Sequence, residues 1–230
     1  YTWGTMGILY NTETVLEAPD SWEVLMDETY KMDMFMLNAP RDTTAIALVM
    51  SGHDLNSTDP EHLQDAKELL IRQKPLVLAY VVDEVKDKMI AGEASVALVW
   101  SGDATFCMSE SDELNYVVPK EGSNIFYDSM CIPHNARNVS GAEKFIDFLC
   151  RPEIAQKNCE YIWYSSPNAA AIELMGEVEA LAKGEYTEQF LLEQPLYPDQ
   201  MVFLVGTYFQ DKDEINEGEA VSSTKTGELL

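Results

Sequence analysis

Short, continuous apolar runs recur along this chain and alternate with segments of helical periodicity. Two of these runs, residues 75–82 (PLVLAYVV) and residues 95–100 (SVALVW), contain too few polar residues for a strand that is exposed on one face. We therefore predict two strands that are buried on both faces. Strands that alternate with helices are typical of an α/β fold with a mainly parallel sheet.

Proline and aspartate mark the starts of two predicted helices. One helix begins at Pro40 and ends near Gly52, and the next begins at Asp59-Pro60 and runs to about Gln73. Proline suits a first helical turn because its missing N–H has no partner there, and an acidic residue favours the positive end of the helix dipole. Further helices are predicted at 140–149, 152–163 and 168–183, and further strands at 34–38, 114–118 and 125–132.

Charge excludes several classes of partner. The 230 residues include 40 acidic and 15 basic side chains, which gives a net charge of −25. Such a surface repels nucleic acids and anionic membranes and favours cationic ligands. No apolar run approaches the roughly 20 residues of a membrane span. The chain begins at Tyr1 without Met or a basic, apolar leader, so we expect a mature or trimmed segment.

The spacing of cysteine and histidine residues does not match a metal site or a catalytic triad. No CxxC or HExxH motif occurs, and no glycine-rich nucleotide motif is present. We therefore predict no metal and no cofactor. Cysteines among apolar neighbours are predicted to be small buried hydrophobic residues, and a disulfide between the last two of the four remains open. The four are Cys107, Cys131, Cys150 and Cys159.

One carboxylate, Asp128, lies in the aromatic and apolar segment NIFYDSMCIP at residues 124–133. A buried carboxylate needs a cation or several hydrogen-bond donors, and the faces of Phe126 and Tyr127 attract cations as well. This combination favours a pocket for an organic amine. The alternative is a strand that emerges at the surface, where Asp128 caps a neighbouring segment.

Several short motifs together resemble one family, the spermidine/putrescine-binding proteins of bacterial ABC importers. Their order and spacing carry the resemblance, which extends over about residues 1–200. The motifs are YTWGT (1–5), NAPRD (38–42), ALVWSG (97–102), VPKEG (118–122), FYDSM (126–130), AEKFIDFL (142–149), YSSPN (164–168) and LYPD (196–199).

This resemblance implies a two-lobe fold like that of type II periplasmic binding proteins, with one complete lobe and part of the other in this chain. Residues 5–118 would form the second lobe. Residues 119–168 would hold a crossing strand and the returning part of the first lobe, and residues 169–230 would hold helices that pack on the second lobe. Family members are longer, and the part that precedes Tyr1 would supply most of the first lobe.

The resemblance also implies ligand contacts. Asp128 matches the carboxylate that holds a ligand amine, and Trp100 and Phe126 match aromatic walls around the methylene chain. Tyr164 matches a further aromatic residue before a Ser-Ser-Pro turn. By strand alternation Phe126, rather than Tyr127, shares the face of Asp128. Trp100 also ends a predicted strand at the edge where α/β ligand sites form, with core packing as the alternative.

The other end of the ligand would be held by Asp42, although an acid in a first helical turn needs no ligand to explain it. Asn38 and Ala39 stand where the family often has an additional Asp, which weakens the grip on one amine. Gln210 resembles a terminal amide contact. Trp3 is predicted to lie near the hinge and to pack there.

We therefore expect a solute receptor, not an enzyme. It would capture spermidine or putrescine and deliver it to the membrane permease of an ABC importer, as a monomer when intact. It would work in the periplasm or on the outer face of the cytoplasmic membrane, with a lipid anchor or a fusion to a membrane protein left open. The alternatives are a receptor for another small cation or metal chelate, an acidic protein-interaction module, and a hydrolase that uses Asp42 and Asp128.

Overall fold

A computed structural model of the protein describes residues 1–175 and two later strands of two residues each, Ser222–Ser223 and Glu228–Leu229, which pair with each other. The strands in residues 1–175 are β1 (Thr2–Asn11), β2 (Met34–Leu37), β3 (Ala79–Val81), β4 (Val96–Trp100), β5 (Leu114–Val117) and β6 (Ile125–Asp128). The α-helices there are α1 (Pro40–Met50), α2 (Pro60–Gln73), α3 (Val85–Ile90), α4 (Ser101–Glu110), α5 (Val139–Leu149), α6 (Pro152–Ile162) and α7 (Ala169–Met175).

The six strands form one mixed sheet. Its order is β3-β2-β4-β1-β5, and β6 also pairs with β1. β2 is parallel to β3 and β4, but β1 is antiparallel to β4 and β5. The predicted α/β class is confirmed. The prediction of a mainly parallel sheet is wrong, because β1 runs antiparallel to both of these neighbouring strands. The sequence of β1 opens with Thr, Trp and Gly, so its start did not look like the continuous apolar run of a buried strand.

The apolar segment at residues 75–82 is not a strand buried on both faces. Lys74–Leu76 form a short 3-10 helix, and only Ala79–Val81 pair with β2. β3 is the last strand at its edge of the sheet, and the Tyr80 side chain is 40% exposed. A run of apolar letters does not distinguish a central strand from an edge strand, because only the number of neighbouring strands differs.

Helices cover both faces of the sheet around β2 and β4. On one face, Phe35, Ala97 and Val99 pack with residues of α3 and α4, including Val85 and Cys107. On the other face, the Gln73 amide at the end of α2 contacts the Met36 sulfur at 3.5 Å. Since Phe35 and Met36 alternate along β2, α2 lies opposite α3 and α4. α2 packs in turn against α1, through Ala47, Leu48, Ala66 and Leu69.

The chain divides into two compact units. Of the described residues, 5–124 form the larger unit, and 1–4 together with 125–175 form the smaller unit. The chain therefore passes from one unit to the other within β1 and again between Asn124 and Ile125. In the smaller unit α7 packs against α6, and the rest of the predicted C-terminal segment lies mostly outside the described residues.

Gly7 is a position where the sheet tolerates no side chain. A Cβ placed there would overlap the ring of Tyr116, which is buried and whose hydroxyl meets the Thr5 hydroxyl at 3.3 Å. The close approach of β1 to this ring therefore depends on glycine.

We predict that Gly7→Ala destabilises the protein by about 1–3 kcal/mol, since it overpacks a filled core. Urea unfolding monitored by circular dichroism would measure the loss. Adding Tyr116→Val to the Gly7→Ala variant removes the obstructing ring, so the two costs should sum to more than the cost of the double variant. A Gly7→Ala midpoint equal to that of the parent would contradict the assigned packing.

Candidate functional site

Asp42 and Trp100 lie together at one edge of the sheet in the larger unit. β2 and β4 are parallel neighbours, with Phe35 opposite Ala97. Asp42 lies in the first turn of the helix that follows β2, and Trp100 is the last residue of β4. The carboxyl ends of parallel strands form the edge where α/β proteins place their ligand sites. Both side chains are half-buried there.

The pKa of the Asp42 carboxyl is raised above its usual value, and burial is the largest cause of this shift. A hydrogen bond from the Trp100 side chain and the positive charge of Arg41 oppose the shift but do not cancel it. Asp42 is therefore a partly desolvated acid held near an indole. A carboxylate in this state gains more from a cationic ligand than a fully solvated carboxylate would.

Arg41 brings a positive charge next to this acid. Its guanidinium Nη2 donates to the Asn56 Oδ1 at 2.7 Å, and burial lowers the pKa of Arg41. The hydrogen bond holds the guanidinium toward the loop between α1 and α2. Arg41 was not predicted to matter for the site, although its position in the NAPRD motif was visible in the sequence.

A second acid near the same edge, Asp103, was not predicted as a site residue. Asp103 lies in the first turn of α4, is only 7% exposed, and accepts a hydrogen bond from the Lys86 ammonium at 3.2 Å. Because Lys86 already compensates this charge, Asp103 is a weaker candidate for a ligand cation than Asp42.

The start of α1 carries no further acid. Asn38 is exposed, and its main-chain N–H donates to the Val81 oxygen at 2.8 Å. Ala39 is the N-cap residue and offers no side-chain hydrogen bond to the helix. The main chain of Asn38 thus extends the pairing between β2 and β3, but neither Asn38 nor Ala39 provides a carboxylate for a ligand.

Asp128, in the smaller unit, differs from its predicted state. The strand β6 is half-buried and ends at Asp128, whose side chain is exposed. The expected burial of this carboxylate is wrong, and the alternative of a strand that emerges at the surface is confirmed, because Asp128 is exposed at the end of β6. Its Oδ2 accepts a hydrogen bond from the Thr2 hydroxyl. Among the described residues, no Lys, Arg or His forms an ion pair with it.

The two faces of β6 separate the predicted aromatic residues. The rings of Phe126 and Tyr164 lie 6.2 Å apart on one face, and the rings of Tyr127 and Trp3 stack at 6.4 Å on the other. By alternation Asp128 shares the face of Phe126. Phe126, Tyr164 and Asp128 therefore belong together, and Tyr127 belongs to the packing around Trp3.

The main chain fixes Trp3 and Tyr164 in place. The Trp3 N–H donates to the Ser165 oxygen at 3.0 Å, and its indole N–H donates to the Ser166 oxygen at 3.3 Å. Trp163 ends α6 in the left-handed conformation, at φ 65°, which turns the chain toward Tyr164. Trp3 thus packs against the turn that holds Tyr164, and the prediction that this residue has a packing role is confirmed.

The remaining predictions concern residues without a place in either group. Gln210 lies outside the described residues. All four cysteines are free, so Cys150 and Cys159 form no disulfide. The predicted burial is confirmed for Cys107, whereas Cys131 is only half-buried and the prediction is wrong for Cys150, which is exposed at the end of α5. Burial raises the pKa of the Cys107 thiol to about 12.

In the described part of the chain, no three or more His, Cys, Asp and Glu residues gather into a possible metal site. No helix in that part combines the length and apolar character of a membrane span.

Comparison with known proteins identifies the class. The model of the family described as bacterial extracellular solute-binding protein matches residues 1–182. The chain belongs to this family. Its fold is part of the two-lobe fold of periplasmic solute-binding proteins.

The relatives are named as polyamine-binding proteins. The spermidine/putrescine-binding periplasmic protein of Salmonella typhimurium is 32% identical over 212 residues, which are 92% of this chain and 58% of that protein. Among solved structures, a Listeria monocytogenes protein assigned to a spermidine/putrescine ABC transporter is 37% identical, with a TM-score of 0.79 over 90% of this chain and 65% of that one.

A second solved structure is the spermidine/putrescine ABC transporter substrate-binding protein of Streptococcus pneumoniae in complex with calcium and HEPES. It is 35% identical, with a TM-score of 0.71 over 90% of this chain and 65% of that one. The chain thus spans about three fifths of the length of the relatives that it matches.

We predict that Asp42→Asn raises the melting temperature at neutral pH by a few degrees. The pKa of Asp42 is raised above its usual 3.8, so the folded state binds the proton more tightly than the unfolded state. The stability that this proton supplies is lost as the pH rises through the raised pKa. At neutral pH the ionised, partly buried carboxylate therefore lowers the free energy of unfolding relative to a neutral side chain. The amide carries no such cost.

Differential scanning calorimetry at several pH values would measure the effect. The gain should shrink as the pH falls through the raised pKa, where the parent carboxyl is also neutral. Asp112→Asn is the matched control, because Asp112 is exposed and precedes β5 at the other end of the sheet. A lower melting temperature for Asp42→Asn at neutral pH would contradict the balance described for this acid.

Proposed function

We propose that this protein binds a polyamine, spermidine or putrescine, as the solute receptor of an ABC importer. Polyamines carry ammonium groups that are separated by methylene chains. A receptor for them needs carboxylates that accept hydrogen bonds from the ammonium groups and aromatic rings that pack on the methylenes. Membership of the solute-binding family and the names of the relatives support this class of ligand.

The observation that carries the proposal is the position of the half-buried Asp42 carboxylate beside the Trp100 indole at the carboxyl ends of β2 and β4. An ammonium group there would form a charge-assisted hydrogen bond with Asp42. The Trp100 ring would attract the same charge through its face and cover the adjoining methylenes, at about 0.5–2 kcal/mol. Burial already disfavours the ionised acid, so a cation would compensate a charge that water solvates poorly.

The smaller unit offers the same chemistry in a second group of residues. Asp128 presents a carboxylate, and Phe126 and Tyr164 present rings on the same face. We propose that these three residues, taken by themselves, can bind an ammonium group of a polyamine. Tyr127 would support them from the opposite face through its contact with Trp3. Gln210 remains a proposed contact of the ligand on the resemblance alone.

Another small organic cation, with fewer ammonium groups than spermidine, is the second candidate ligand. Asn38 and Ala39 provide no acid before Asp42, and the Arg41 charge already compensates part of the Asp42 charge. A ligand with fewer ammonium groups would need fewer carboxylates. Putrescine, or another small organic cation, fits this charge balance better than spermine does.

The family, and not any one side chain, supports a proposal of delivery to a permease. The relatives are named as periplasmic proteins and as parts of ABC transporters. We propose that this protein works outside the cytoplasmic membrane and hands its ligand to a membrane permease. Such receptors need no catalytic group, because closure around the ligand is their action.

We predict that putrescine or spermidine binds to the purified protein with measurable heat and raises its melting temperature, because a ligand of the folded state stabilises that state. Isothermal titration calorimetry with putrescine, spermidine, spermine and a neutral diol of matched length would test this. The neutral diol is the control for the role of charge. Equal heats for the diol and the amines, or no heat with any amine, would overturn the proposal.

We predict that Trp100→Ala weakens polyamine binding by about 2- to 30-fold, the equivalent of one lost cation–π contact. Asp42→Asn should weaken it by about 10- to 150-fold, because a hydrogen bond to a charged acceptor is lost. Trp100→Phe keeps an aromatic face but loses the indole donor to Asp42, so its affinity should lie between that of Trp100→Ala and that of the parent. Asp112→Asn removes the same charge at the other end of the sheet and should bind like the parent.

A further inference from the structure

Thr2 is a residue of β1 within the YTWGT motif, and it was not predicted as a site residue. It is 2% exposed, and its hydroxyl donates to Oδ2 of the exposed Asp128 carboxylate. The main chains of the two strands also meet here, since the Tyr1 nitrogen donates to the Asp128 oxygen at 2.8 Å. Thr2 and Asp128 are therefore cross-strand neighbours whose side chains lie on the same face.

We propose that Thr2 is a positioning residue that aims the Asp128 carboxylate at a ligand ammonium. The inference rests on the proposed polyamine function, in which Asp128 is one of the ligand carboxylates. Thr2 itself does not contact the ligand.

The side chain of Thr2 is suited to this task because it cannot easily move. Threonine is branched at Cβ, which restricts its χ1 rotamers, and burial restricts them further. An exposed aspartate at the end of a strand would otherwise turn freely between rotamers, and a ligand would have to order it on binding. The entropy of ordering a side chain opposes binding, so an aspartate that is already held binds more tightly.

The hydrogen bond from Thr2 also makes the two carboxylate oxygens of Asp128 different from each other. Oδ2 accepts from Thr2, whereas Oδ1 accepts no hydrogen bond from a donor within residues 1–175. Oδ1 is thus the atom available for an ammonium group, on the face that carries Phe126 and Tyr164. A carboxylate held in this way presents one oxygen in one direction.

The test compares Thr2→Val with Thr2→Ser. Valine keeps the shape and the branching of threonine but has no hydroxyl, and serine keeps the hydroxyl. We expect Thr2→Val to weaken putrescine or spermidine binding by about two- to tenfold, which is the range for one net hydrogen bond. Thr2→Ser should restore the parent affinity. The melting temperature without ligand should be similar in the parent and both variants, because water can solvate the freed Asp128 oxygen.

Thr5→Val serves as the matched control. Thr5 is another buried threonine of β1, but its hydroxyl faces Tyr116 and not a carboxylate. It should alter stability without altering affinity. Asp128→Asn identifies the carboxylate on which Thr2 acts, and it should bind polyamine more weakly than Thr2→Val does.

Three results separate failure of this inference from failure of the proposed function. If the parent binds polyamine and Asp128→Asn is weaker, but Thr2→Val binds like the parent, Thr2 does not position the acid and the receptor function stands. If Thr2→Ser binds as weakly as Thr2→Val, the hydroxyl does not account for the affinity and the inference is overturned. If the parent itself binds no polyamine, the proposed function fails and the inference fails with it.

Discussion

The parallel pairing of β2 with β4 is the constraint on which the candidate site in the larger unit depends. Each strand is followed by a helix that begins within three residues of the strand end, so both helix starts lie at the same edge. That single register brings Asp42 and Trp100 together although they are distant in the chain. β1 reinforces the arrangement because it runs antiparallel beside β4, where Met6 pairs with Trp100 and the Ser101 hydroxyl accepts from the Thr5 N–H at 3.1 Å.

In the proposed function, the two carboxylates represent opposite ways to prepare a site for a cation. Asp42 is desolvated, and its charge is tolerated because an indole donor and a nearby guanidinium stabilise it. Asp128 is solvated, and a neighbouring hydroxyl restricts its orientation instead. Desolvation raises the strength of a charge interaction, and restricted orientation lowers the entropy that binding must overcome. Both acids offer a cation an acceptor whose position is set before the ligand arrives.

The sequence was informative where short-range rules decide the structure. Pro40 and Asp59-Pro60 start helices, and the run before Trp100 forms a central strand, so the order of elements around Asp42 and Trp100 was predictable. The separation of Phe126 from Tyr127 also followed from strand alternation. The sequence left both burial and exposure of Asp128 open, because the outcome depends on what packs over the end of β6 and the local residues do not specify that. The orientation of β1 and the edge position of β3 depend on pairing between distant segments.

The path of the chain through β1 and Asn124 has a further consequence. Residues 5–124 are one uninterrupted stretch, and its two ends are joined, since the Met6 N–H donates to the Asn124 Oδ1 at 3.1 Å and the Ser123 hydroxyl donates to the Met6 oxygen at 2.7 Å. Adjoining ends can be connected by a short loop while new termini open elsewhere in the stretch, which is the geometry that circular permutation requires.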